Sequence, residues 1–126
     1  MKEKIICGDA PKAIGPYNQA IETNSLIFVS GQIPFNKEGS LISNDIEKQT
    51  MQSLTNIENI LKCKGLDKNS IVKTTIFLKD MNDFKIMNDI YSDFFKNTDF
   101  PARSTVEVSR LPKDVKIEIE AIAVKE

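Results

Sequence analysis

The chain has 126 residues, 40% of them hydrophobic, which is enough to bury one core and too few for two ordinary domains. Lysine and arginine total 17 against 18 acidic residues, a formal net charge of -1, which argues against the long-range field that draws in nucleic acid or a membrane surface. With no histidine and only Cys7 and Cys63, the composition also argues against Ser-His-Asp catalysis, His-containing zinc sites and a disulfide framework.

Lys2 to Cys7 and Tyr17 to Glu22 are weak strand candidates, followed by Leu26 to Ser30 (LIFVS), a short apolar run expected to be a strand buried on both faces. Asn36 to Ser40 has the composition of a hairpin turn and lacks the spacing of a phosphate-binding loop. From Asp45 to Lys64, Ile46, Leu54, Ile57 and Leu61 recur at helical spacing, with Asn44 as the expected N-cap and Gly65 as the stop. Ile71 to Leu78 (IVKTTIFL) is β-branched and predicts a strand, and Phe84, Met87, Tyr91 and Phe94 predict a helix over Asp83 to Phe95. Ala102 to Val108 and Val115 to Val124 are the last two strands, separated by a turn at Pro112, Lys113 and Asp114.

The order β-β-β-α-β-α-β-β implies a single α+β domain over 1–126, a mixed sheet covered on one face by two helices. The last strand leaves the other face in need of an occupant. Val115, Ile117, Ile119, Ala121 and Ala123 form one apolar row, while the opposite row reads Lys116, Glu118, Glu120, Ile122 and Val124. Water alone would expose two apolar residues, and ordinary core would bury two unpartnered glutamates. A subunit interface containing a polar pocket satisfies both.

Arginine occurs only at Arg103 and Arg110. Arg103 opens a strand after Phe100-Pro101-Ala102, where its planar fork is a candidate for bidentate recognition of a carboxylate; the competing reading is a structural ion pair with Glu107 or Glu120. Glu118 is a candidate to orient or deprotonate water, against a solvated strand-face glutamate. Tyr17, after Gly15 and Pro16, is either a hydroxyl placed over a ligand or a packing residue with a wet tip. Gly31 either lets a ligand approach the backbone or bends a strand end. The first residues lack a signal-peptide pattern and no run reaches membrane-spanning length, so a cytoplasmic protein is expected.

Five segments carry a resemblance: Ala10 to Tyr17 (APKAIGPY), Ser30 to Pro34 (SGQIP), Ile71 to Phe84 (IVKTTIFLKDMNDF), Phe100 to Val108 (FPARSTVEV) and Leu111 to Val124 (LPKDVKIEIEAIAV). Over nearly its full length the chain resembles the RidA/YjgF family of reactive intermediate deaminases. That resemblance implies a chorismate-mutase-like α+β fold, a homotrimer with clefts between subunits, and hydrolysis of 2-imino acids to 2-keto acids and ammonia without metal or organic cofactor. It implies that Arg103 binds the substrate carboxylate, that Glu118 positions the water, and that Tyr17, Ser30, Gly31 and Asn88 line the pocket. Many members carry Cys where this chain has Thr105, so a thiol role there is excluded; a backbone carbonyl holding the water would serve equally well with Thr. The competing functions are a keto-acid or amino-acid binding module, and, ranked below it, an endoribonuclease or a chaperone-like protein.

Overall fold

The computed structural model describes residues 1–126. Six strands form one sheet: β1 (Glu3–Ile5), β2 (Ala20–Glu22), β3 (Leu26–Gln32), β4 (Ile71–Leu78), β5 (Ala102–Glu107) and β6 (Ile117–Val124). Their spatial order is β1-β2-β3-β6-β4-β5, antiparallel except for the parallel β4–β5 pair. A parallel pair needs a crossover, and α2 (Phe84–Phe95) supplies it; α1 (Ile46–Lys62) connects β3 to β4. Both helices pack on the same sheet face and against each other.

The core follows from side-chain periodicity. Every second residue of β6, from Ile117 to Ala123, is buried and meets Ile27 and Val29 of β3 and Ile76 and Leu78 of β4 under the helices. Leu54, Ile57, Ile60 and Leu61 close it from α1, and Met87, Tyr91, Phe94 and Phe95 from α2. The alternate residues point to a sheet face that no element covers.

Several boundaries differ from the sequence reading. Asp45, not Asn44, caps α1: its carboxylate accepts the Glu47 N–H at 3.0 Å, because the first helical residue is Ile46 and the cap lies one position before it. β3 runs on to Gln32 and is not buried on both faces; Ile27 and Val29 are covered while Phe28 is 43% exposed on the open face. Tyr17 precedes β2 rather than opening it, in a bend where its N–H donates to the Gly15 carbonyl at 2.8 Å.

Cys7 and Cys63 form a disulfide that ties the segment after β1 to the end of α1, overturning the expectation of none. The two cysteines lie 56 positions apart in sequence, a spacing with no local signature. No helix is long and apolar enough to cross a membrane.

Candidate functional site

The candidate residues fall into two groups, one on each face of the sheet. On the open face, Glu118 of β6 stands beside Gly31 of β3, where the β3–β6 register shifts between Val29 and Gln32 and leaves room for Ser30 and Gly31. A Cβ built on Gly31 would collide with the Glu118 carboxylate, so glycine here is what lets the two strands seat the glutamate. Ser30 donates its hydroxyl to the Asn18 carbonyl at 2.6 Å, which joins β3 to the segment carrying Tyr17. The Tyr17 ring is 47% exposed and borders, with Gly31, Ile33, Phe35 and Lys113, an open cavity of about 630 Å³.

Glu118 is half-buried, and burial pushes its carboxyl above the usual carboxylate range; the neighbouring charge of Glu120 adds in the same direction. Such a carboxyl is a readier proton donor near neutrality than a solvated glutamate.

Two buried amides hold the loops around this group. Gln19 accepts the Cys7 N–H at 2.6 Å and donates to the carbonyls of Cys7 and Pro11 at 3.0 and 2.8 Å, fixing the segment that leads to Tyr17. Asn56 of α1 donates to the Phe35 carbonyl at 2.8 Å, just beyond Gly31. Neither stood out in the sequence, since a lone Gln or Asn has no spacing that announces its partners.

The second group lies on the helix side, at the outer strand β5. Arg103 donates through Nη1 to Asn88 Oδ1 at 2.8 Å, and its guanidinium carbon sits 4.8 Å from the Tyr91 ring centre and 5.6 Å from that of Phe84. Phe84, Asn88 and Tyr91 are four and three residues apart, which places all three on one face of α2. Beside them Asn88, Tyr91, Phe100, Pro101 and Arg103 border a cavity of about 290 Å³. Thr105, two residues along β5 on the same side as Arg103, has a buried hydroxyl with no hydrogen-bond partner.

The structural ion pair weighed for Arg103 is not formed. Glu107 instead accepts the Met81 N–H at 2.7 Å, and Glu120 lies on the open face with Lys73 and Thr75. The strand register explains why. Arg103 is level with Thr74, which pairs with Ala121 on the core side; Glu118 pairs with Phe77, three residues from Thr74 and therefore on the opposite face. One chain brings Tyr17, Ser30, Gly31 and Glu118 to one region and Asn88, Arg103 and Thr105 to another, and does not unite them. No group of three or more His, Cys, Asp or Glu side chains is placed to hold a metal ion.

The model of the endoribonuclease L-PSP family matches residues 7–125, which include every residue of both groups. The chain belongs to this family, the RidA/YjgF family. Among L-PSP family relatives, it is 54% identical to a RutC family protein of Pyrococcus horikoshii over all of both chains. It is 50% identical to a protein of Salmonella typhimurium named 2-iminobutanoate/2-iminopropanoate deaminase, over 99% of each. Among solved L-PSP structures, a Rid protein of Yersinia pestis superposes with a TM-score of 0.96 at 55% identity, covering 99% of this chain and 100% of that one. Escherichia coli TdcF with bound serine superposes at 0.94 with 44% identity, covering 98% and 99%.

Proposed function

We propose that the chain is an imine hydrolase that converts small 2-imino acids to 2-keto acids and ammonia, in clefts shared between copies of a homotrimer. The carrying observation is a guanidinium with no carboxylate partner, Arg103, and a carboxyl held above its usual range, Glu118, on opposite faces of one sheet. Only a second copy brings such residues together. The uncovered sheet face with Phe28, Ile122 and Val124, and β5 as an outer strand, provide surfaces for that contact.

In the proposed cleft, Arg103 and Asn88 of one copy face Tyr17, Ser30, Gly31 and Glu118 of the next. Arg103 binds the substrate carboxylate through its paired N–H groups. The protonated form of Glu118, which burial favours, donates to the imine nitrogen and sharpens the carbon as an electrophile. Water held near the Thr105 backbone carbonyl and Tyr17 adds to that carbon and returns a proton to Glu118. The resulting carbinolamine collapses to a ketone as the nitrogen takes that proton and leaves as ammonia while the hydroxyl gives its own proton to the Glu118 carboxylate, so one water is consumed and the carboxyl is regenerated. Because imines already hydrolyse in water, holding both reactants in place supplies much of the required acceleration. Neither a metal nor an organic cofactor takes part in this scheme. The 2-imino acids meant are those released by dehydratases acting on serine and threonine, and the reading takes the protein to work beside them in the cytoplasm.

The name of the Salmonella relative supports this reading at 50% identity. The bound serine of TdcF supports carboxylate recognition and favours a second reading, a binding module that holds amino or keto acids without turnover. Endoribonuclease activity, which the family description carries, is not favoured by a chain with no histidine and a net charge of -1. The test couples the protein to a threonine dehydratase and follows keto-acid release: acceleration supports the hydrolase, and tight keto-acid binding without acceleration supports the binding module.

A further inference from the structure

Arg103 lies on an outer strand with only β4 beside it, so its aim is set from α2. Asn88 engages one Nη1 proton, leaving the remaining N–H groups of the guanidinium for other acceptors. The guanidinium carbon lies over the Tyr91 ring, 4.8 Å from its centre, and the Tyr91 ring is itself immobilised. Its hydroxyl and that of Thr74 on β4 lie 2.7 Å apart, with Thr74 fully buried and Tyr91 3% exposed. Behind it Phe95 packs with ring centres 4.7 Å apart and Phe94 packs edge-on against Phe95. A tyrosine needed only for core volume requires no hydroxyl, and burying one that must find a partner costs stability.

We infer that Tyr91 is the positioning residue for Arg103, its ring pinned by the Thr74 hydroxyl as a platform that keeps the guanidinium turned toward the substrate carboxylate. A planar guanidinium gains from lying on an aromatic face, and the electrostatic attraction grows as water is excluded. Thr74 sets the position of the ring, the ring sets the plane of Arg103, and Asn88 sets its rotation within that plane. The side chains come from β4, α2 and β5, so the site is tied to the packing of α2 on the sheet. The inference rests on the reading of Arg103 as the carboxylate anchor, and it adds two residues, Tyr91 and Thr74, that act through Arg103.

Arg103 and Arg110 are the only arginines, so ¹⁵N-labelled protein has two arginine Nε–H signals in its spectrum. Arg110 pairs with Asp114 at the surface and serves as the reference. The Arg103 signal is expected at high field from ring current, moved part of the way toward the Arg110 position in Tyr91→Phe, which keeps the ring but loses its anchoring hydroxyl, and further in Tyr91→Leu. In keto-acid release, Tyr91→Leu should raise KM on the order of five- to tenfold, with kcat changing less. Tyr91→Phe should stay within about threefold, and Tyr91→Leu should add less than about twofold in an Arg103→Lys background. Thr74→Val, which keeps the ring but removes its anchor, should move the same signal in the same direction and decides the matter if Tyr91→Leu does not fold. An Arg103 signal unmoved by these variants, or a full KM effect persisting in the Arg103→Lys background, overturns the inference. If the wild-type protein accelerates no imine hydrolysis, the functional reading fails while the NMR arm still decides the platform.

Discussion

Gly31→Ala separates the proposed catalytic role of Glu118 from the stability of the sheet. A Cβ built on Gly31 lies 2.8 Å from Glu118 Cδ and 3.1 Å from its Cγ, with a carboxylate oxygen nearer still. Carbon atoms pack best at roughly 3.5 Å or more, so the head of Glu118 must retreat by about 1 Å. Gly31 is not among the positive-φ glycines, and alanine adopts its backbone without strain. The displaced group is the end of a flexible, half-buried side chain, which puts the cost at the low end of overpacking, about 1 kcal/mol. For a chain of this size that is a fall in Tm of roughly 3 to 6 °C. A misplacement of about 1 Å at a proton-transferring carboxyl costs far more in rate, on the order of 10- to 100-fold in kcat. KM should change less than kcat, because the carboxylate anchor, Arg103, is supplied by the neighbouring copy in the proposed cleft. Keto-acid release and thermal unfolding of the same preparation decide it. Wild-type kcat in the folded variant refutes the role of Glu118, and global unfolding at 25 °C refutes the claim that the side chain yields.

Removing Glu118's charge should expose its cost to the fold. Its folded pKa is raised, so the native state holds the proton more tightly than the unfolded chain, and stability declines as pH rises above the ordinary 4.5. In an Arg103→Ala background, where no neighbouring guanidinium offsets the burial, Glu118→Gln should raise Tm at pH 8 and lose that gain as pH drops below 4.5; a gain independent of pH contradicts the sign. The Cys7–Cys63 link closes a span of 56 positions, for which chain entropy sets a ceiling of about 4 kcal/mol. Cys7→Ser with Cys63→Ser should therefore lower the urea midpoint yet keep turnover per folded molecule, because Gln19 still holds the segment leading to Tyr17; lost turnover in folded protein would implicate a thiol or the link itself.

Local patterns in the sequence carried the architecture well. The spacing of Leu54, Ile57 and Leu61 and the β-branched run at Ile71 each report a local period, and each element formed where that period lies. The mixed row of β6 correctly marked an open face that a lone chain leaves uncovered. What could not be read depends on contacts far apart in the chain. The Cys7–Cys63 link, the three loop anchors made by Gln19 and the pairing of Thr74 with Tyr91 have partners that no spacing specifies. Tyr91 was visible only as part of an apolar helix face, since a core residue and a platform for arginine obey the same period. The separation of Arg103 from Glu118 needed the register of β5 on β4 and of β4 on β6, which only the assembled sheet defines.

The central claim, that the reacting groups come from two copies, is tested most directly by mixing inactive variants. Arg103→Ala and Glu118→Ala are each prepared, unfolded together in equal amounts and refolded, and keto-acid release is compared with each variant refolded alone. If a cleft takes Arg103 from one copy and Glu118 from the next, random assembly restores both groups in about a quarter of clefts, and activity should return to roughly that fraction of wild type. A mixture no more active than its components, with mixed oligomers confirmed by mass, would contradict the account.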